Sequence, residues 1–269
     1  MERDNHSDSV AMTIAGSDSG GGAGIQADLK TFEAFQVMGT SVITALTAQN
    51  SCGVQGVWGV EAGFVRAQFN SVYKDFKVAA IKTGMLFDED IITTVVDRLQ
   101  KCNLPIVVDP VMVSTSGHML LKPAAVEVMS EDLLPLATVI TPNLAEARVL
   151  TGFEIQDELD MERAADALNA RYPNSWILLK GGHMSGTLAK DILVGHSEKH
   201  WLEAPRYDTF HTHGTGCTLS AAITAGLAKG WTVPQAVSRA KNYVNGCIQH
   251  PWAGLGKGHG SLKHFSTQP

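Results

Sequence analysis

The chain has 269 residues, 44% of them hydrophobic and 18% charged, and a net charge of −6. That is enough for one large α/β domain, or two small ones, around a sizeable core. The negative balance argues against a broad electrostatic grip on nucleic acid or an anionic membrane, and leaves room for a local anion site.

The first nine residues are polar and lack the apolar core of a secretory signal, and no window approaches the roughly 18 apolar residues of a membrane span. A cytoplasmic location is expected. Cys52, Cys102, Cys217 and Cys247 contain no Cys-x-x-Cys pair, so neither a zinc knuckle nor a disulfide scaffold is indicated. The 26 glycines stand out because they are bunched at a few places.

After a polar tail over residues 1–10, a strand is expected over 10–15, a helix over 24–35, a strand over 41–46 and a helix over 62–73. A strand over 78–82, a helix over 89–100, a strand over 106–113 and a helix over 124–134 follow, then a strand over 139–141 and helices over 144–150 and 161–170. The beat ends with a strand over 176–180, an antiparallel hairpin of 191–194 and 200–203, and helices over 218–229 and 233–248. Strands that are apolar throughout and separated by amphipathic helices point to a mostly parallel, doubly wound sheet covered on both faces. No linker divides the chain, so residues 11–269 read as one domain. In such sheets ligands bind beyond the carboxyl ends of the strands.

The unusual motifs fall at those ends. Gly16-Ser17-Asp18-Ser19-Gly20-Gly21-Gly22-Ala23-Gly24 joins a strand to a helix, and its glycines let backbone N–H groups approach a ligand, or simply make a flexible turn. It is neither a Walker loop nor a dinucleotide fingerprint. Gly214-Thr215-Gly216-Cys217 opens a small-residue helix, whose bare N–H groups and dipole suit the charge on a transferring phosphoryl group. At that helix start Cys217 is either a thiolate-prone base or a buried packing residue. Asn143 and Glu146 hold hydrated Mg²⁺ through water, or cap a helix. Asp109, closing an apolar strand, is a second candidate for the ion or a plain turn former. Lys180, before Gly181-Gly182, neutralises phosphate or snorkels at the surface.

Together, Ala15 to Phe32, Ile43 to Asn50, Lys82 to Leu86, Asp109 to Val113, Ile140 to Asn143, Lys180 to His183 and Thr212 to Thr218 closely resemble the bacterial hydroxymethylpyrimidine/phosphomethylpyrimidine kinases of thiamine biosynthesis, in the ribokinase superfamily. The resemblance runs from about Met12 to Phe265. It implies a three-layer α/β/α ribokinase-like fold, ATP and Mg²⁺ as cofactors, and a homodimer. It implies phosphorylation of 4-amino-5-hydroxymethyl-2-methylpyrimidine and then of its monophosphate. Residue by residue, it implies Gly16, Asp28, Gln49, Met85 and Val111 at the pyrimidine, and Gly214 and Gly216 as anion hole with Cys217 in the place of a catalytic base. Lys180, Thr215 and Lys241 would face the nucleotide, and Asp109, Asn143 and Glu146 the metal. His118 stands where the family commonly has Asp, which bears on closure of the 109–118 loop.

Related pyridoxal kinases share most of these motifs. They tend to carry Met at the position of Gln49 and a Cys in the 113–115 loop, and this chain has neither. A non-catalytic pyrimidine-binding protein on the same scaffold is the reading from another class, and retention of Gly214, Gly216, Cys217, Asn143 and Glu146 weighs against it.

Overall fold

β1 (Val10–Asp18) is buried along nearly its whole length because both of its faces are covered. Met12 and Ile14 enter one apolar cluster and Ala11 the other. The computed structural model describes residues 8–112, 121, 123–182 and 186–265. After β1 the chain runs α1 (Gly24–Ala34), β2 (Met38–Asn50), β3 (Gly53–Gly59), α2 (Ala62–Asp75), β4 (Val78–Thr83), α3 (Glu89–Leu99), β5 (Ile106–Val108) and α4 (Pro123–Val128). It continues β6 (Val139–Ile140), α5 (Leu144–Thr151), α6 (Glu158–Arg171), β7 (Trp176–Lys180), β8 (Leu188–Gly195), β9 (Glu198–Pro205), α7 (Thr215–Ala228) and α8 (Val233–Gln249).

One sheet takes all nine strands in the order β3-β2-β1-β4-β5-β6-β7-β8-β9. The pairings from β2 through β7 are parallel, and β3, β8 and β9 add antiparallel edges. Helices α2 to α6 cover one face and α1, α7 and α8 the other. The expected three-layer, mostly parallel, doubly wound architecture is therefore present. β1 lies between β2 and β4, so the chain order reverses there and opens a crevice at the carboxyl ends of β1 and β4.

Local chemistry explains the element ends. Asp88 caps α3 by accepting from Ile91 N, and Thr232 and Gln235 form a capping box on α8 with Pro234 in its first turn. α7 is almost entirely buried between its neighbours, and a Cβ on Gly226 would lie 2.7 Å from Trp231 and 2.9 Å from Ala236, so its small residues allow α8 to come close.

Several expected bounds change. β3 was not anticipated: its Gly-Val-Gln-Gly-Val-Trp-Gly sequence is exposed along almost its whole length and shows no alternation of burial. β5 ends at Val108 because Asp109 and Pro110 leave the ladder, where a strand to 113 was expected. The single helix expected over 124–134 is α4 followed by a π-turn at Met129–Leu133 and a 3₁₀ turn at Leu134–Leu136. The hairpin is longer than expected and turns tightly through His196 and Ser197, both at positive φ. Strand β1 begins at Val10 as expected and runs on to Asp18, three residues past the expected end.

Candidate active site

The carboxyl ends of β5, β6 and β7 bring charge together beneath the start of α7. Lys180 Nζ donates to Asp109 Oδ1 at 3.0 Å, Thr141 Oγ1 donates to the same oxygen at 3.1 Å, and Ser220 Oγ of α7 donates to Asp109 Oδ2 at 3.3 Å. A Cβ on Gly216 would lie 3.5 Å from Lys180 Nζ and 3.7 Å from Asp109 Oδ2, so the helix start, the cation and the carboxylate form one cluster. Burial opposes ionisation of Asp109, but Lys180 and then Lys82 outweigh it and hold the carboxyl below its usual range. Burial likewise opposes the charge on Lys180, and Asp109 and Glu146 hold it above the ordinary lysine value. Gly214 starts α7 in the left-handed region at φ +82, and no side chain caps the helix. Thr215 is committed to the preceding turn, since its N–H and its hydroxyl both donate to the Thr212 carbonyl.

Asn143 and Glu146 make the capping box that was the structural alternative for them. Asn143 Oδ1 accepts from Glu146 N at 2.9 Å and Glu146 Oε2 accepts from Asn143 N at 2.8 Å. Burial pushes the Glu146 carboxyl up to about 7, against the pull of Lys180 and with added repulsion from Asp109. Among the described residues no group of three or more His, Cys, Asp or Glu is placed to hold a metal ion. The donor set thus makes no protein cage. It fits a hydrated divalent cation that draws direct ligands from phosphate, because a buried carboxyl repelled by Asp109 gains from a cation beside it.

Lys241 turns its ammonium to Asp191 Oδ2 at 2.5 Å and to the Ala189 carbonyl at 3.2 Å. Asp191 in turn accepts from Gly181 N at 3.0 Å, so Lys241 braces the turn that follows Lys180.

On the other side of the crevice the glycine loop is folded around Asp18. The Asp18 carboxylate accepts from the N–H groups of Gly20, Gly22 and Ala23 at 2.8 to 3.0 Å and from His213 Nε2 at 2.9 Å. Those amides serve Asp18, so the loop approaches a ligand through its surface and not through these N–H groups. Gln49 is half-buried, with its side-chain amide 3.3 Å from His213 Nε2 and 3.2 Å from Thr47 Oγ1. Gly16 faces Met85, whose Cε would lie 3.0 Å from a Cβ at that position. Val111, half-buried, donates its N–H to the Asp109 carbonyl at 2.8 Å.

Asp28 presents no surface to a ligand. Both its oxygens take the fully buried Lys82 Nζ at 2.8 Å, and Thr13 Oγ1 donates to Oδ2 at 2.6 Å. Burial opposes the charge on Lys82, and the touching carboxylate outweighs this and holds the ammonium above the ordinary lysine value. Of the two readings open for Cys217, the thiolate is the disfavoured one. Its helix-start position predicts a favoured thiolate, yet burial pushes the thiol up to about 11 despite the opposing charge of Lys82.

Sequence reasoning passed over Lys82, Asp18, His213 and the segment after α8. That segment crosses the acceptor side: His259 N donates to the Ser51 carbonyl at 2.9 Å, Gly260 N to His211 Nδ1 at 2.8 Å, and His264 Nε2 meets Thr218 Oγ1 at 3.0 Å. Its signal was the alternation of glycines at 254, 256, 258 and 260. His118 and His183 lie outside the described residues.

A doubly wound sheet with a glycine-opened helix, a lysine and acidic residues gathered at its strand ends defines a ribokinase-like kinase. The chain belongs to the phosphomethylpyrimidine kinase family, which matches residues 18–263. It is 53% identical over 255 residues to the hydroxymethylpyrimidine/phosphomethylpyrimidine kinase of Streptomyces coelicolor, covering 95% of this chain and 94% of that one. The crystal structure of phosphomethylpyrimidine kinase from Clostridium difficile superposes with a TM-score of 0.80 at 44% identity, covering 90% of this chain and all of that one. The ADP complex of Bacillus subtilis pyridoxal kinase gives 0.88 at 38% identity, over 97% and 98% of the two chains.

Proposed function

We propose that the protein transfers the γ-phosphoryl group of ATP to the hydroxymethyl group of 4-amino-5-hydroxymethyl-2-methylpyrimidine, and then a second to the resulting monophosphate. The product is the pyrophosphate used in thiamine biosynthesis. The observation that carries this reading is the continuity of the two halves of the crevice: Gln49 lies against His213, His213 precedes Gly214, and Gly216 faces Lys180 and Asp109.

In this reading the start of α7 receives the transferring phosphoryl group, whose spreading negative charge is met by the helix dipole and the N–H groups of Gly216 and Cys217. Lys180 neutralises a donor phosphate, and Asp109 holds that ammonium in place. Mg²⁺, when bound, draws charge from the phosphates, and Glu146 with Asn143 and Asp109 would hold it through its water shell. Gln49 hydrogen-bonds the edge of the pyrimidine, and Met85, Gly16 and Val111 close around the flat ring. Cys217, protonated at neutral pH, orients the acceptor hydroxyl, whose proton passes to an oxygen of the transferred phosphoryl group as the new P–O bond forms, which a loose transition state tolerates.

A homodimer and a cytoplasmic location belong to the same reading. The exposed apolar side chains Val54, Val57, Trp58 and Phe64 on and beside β3 favour association of copies. No helix of the described residues is long and apolar enough to cross a membrane.

The test is substitution of Gln49. Gln49→Met should lower kcat/KM for the pyrimidine alcohol about tenfold or more and leave the KM for ATP near the parent value, because a lost polar contact to the acceptor leaves its partner unpaired. Equal pyrimidine kcat/KM in mutant and parent would remove the proposed contact. The similarity to a pyridoxal kinase favours pyridoxal as the second acceptor to assay, and faster turnover of pyridoxal than of pyrimidine would transfer the assignment to it.

A further inference from the structure

His213 occupies the junction between the two halves of the site and has no role in the mechanism above. Its Nε2 lies 2.9 Å from Asp18 Oδ2 and 3.3 Å from the end of the Gln49 side-chain amide. The ring packs so closely on the glycine loop that a Cβ on Gly22 would come within 2.6 Å of its Cδ2. Its backbone bridges to Ser261 on one side and leads directly into Gly214 on the other. Two segments, the glycine loop and the end of β2, therefore meet at the imidazole, and the backbone of the same residue joins the 261 segment to the start of α7.

A neutral ring nitrogen has one hydrogen-bonding role at a time, donor or acceptor. Burial pushes the Asp18 carboxyl up, but the His213 hydrogen bond and the N–H groups of Gly20 and Ala23 prevail and hold it at about 2. An ionised, buried carboxylate requires donors, so Nε2 carries its hydrogen and directs it at Asp18. The imidazole is thereby fixed in tautomer and in tilt. Because that Nε2–H cannot also accept, the Gln49 amide presents its oxygen to the ring and its nitrogen to Thr47 Oγ1, whose own hydrogen goes to the Ser17 carbonyl at 3.0 Å, so Gln49 lies between two anchored neighbours.

We infer that His213 is a positioning residue for the acceptor: braced by Asp18, it sets the orientation of the Gln49 amide that meets the acceptor ring. The inference rests on the reading of Gln49 as an acceptor contact. A ring that served only to pack the two glycine clusters would act on stability and on the anion hole, not through Gln49.

A double-mutant cycle separates these roles. Steady-state ADP release is measured with the pyrimidine alcohol for the parent, Gln49→Ala, His213→Ala and the double variant, alongside ATP affinity by calorimetry. Each single variant should lose about tenfold in kcat/KM for the pyrimidine, mainly through KM, with ATP affinity within about twofold of the parent. The double variant should be no more than about twofold worse than Gln49→Ala, because the second substitution removes support for a group already gone. Losses that multiply in the double variant, or a His213→Ala enzyme with parent kcat/KM, would overturn the inference while leaving the Gln49 contact standing. A Gln49→Ala enzyme with parent kcat/KM would overturn the contact and the inference together. If His213→Ala does not fold, His213→Phe, which keeps a flat ring and removes the N–H donor, carries the same cycle with the same outcomes.

Discussion

Gly214 and Gly22 pack backbone on backbone: a methyl group on Gly214, which sits at φ +82, would collide with the carbonyl oxygen of Gly22. The two glycine clusters, separated by almost 200 positions in the chain, are thus the two sides of one joint. Gly214→Ala adds about 1–2 kcal/mol of left-handed backbone strain and forces the joint open. Expected outcomes are a lower melting temperature and a kcat reduced by roughly a hundredfold, since the helix start leaves the phosphoryl group. Retained kcat would separate the helix start from the chemistry.

Cys217 should alkylate slowly at neutral pH, because its thiol is pushed up to about 11 from an ordinary 9.0. Iodoacetamide labelling, followed by mass spectrometry of the peptide containing Cys217, should rise steadily through about pH 10. Cys217→Ala should lower kcat about tenfold and leave ATP affinity unchanged. An unchanged kcat reduces Cys217 to a packing residue.

Glu146 carries a pH signature. Its carboxyl titrates at about 7 in the folded chain against an ordinary 4.5, so the folded state holds the proton more tightly than the unfolded state. The stability it contributes therefore falls as pH rises from 4.5 to 7, and the whole cost, about 3 kcal/mol, is present above that window. Glu146→Gln keeps the cap and removes the buried charge. The variant should melt higher than the parent at about pH 8, lose that advantage near pH 4.5, and turn over more slowly with Mg²⁺.

The segment after α8 meets the acceptor side at Ser51. A Cβ on Gly258 would strike the backbone of Ser51, two residues beyond Gln49. Gly258→Ala should raise the KM for the pyrimidine by about threefold to tenfold with the KM for ATP unchanged, read from initial rates over both substrates. A rise in the KM for ATP alone would place this segment on the wrong half of the site.

Much of the fold was legible because a strand covered on both faces must be apolar throughout, as Ile106-Val107-Val108 and β1 are. β3 was not legible, since an exposed strand with three glycines carries no burial pattern and owes its place to pairing with β2. In the site, the loops were found because glycine, lysine and carboxylate cluster at strand ends, and the partnerships were not. Asp28 was expected to face the ligand, whereas a lysine inside the apolar run of β4 already called for a buried carboxylate. The amides of the glycine loop were expected to be free, and Asp18, within the same loop, takes them. The Asp28–Lys82 and Asp18–His213 pairings join positions 54 and 195 residues apart, and no local spacing records them.

The identity of the products is the most direct test of the protein's activity. The purified protein, given ATP, Mg²⁺ and 4-amino-5-hydroxymethyl-2-methylpyrimidine, should form the pyrimidine monophosphate and then the pyrophosphate by mass spectrometry, with a matching release of ADP at each step. Absence of pyrimidine-dependent ADP release, or phosphorylation of pyridoxal with none of the pyrimidine, would contradict it.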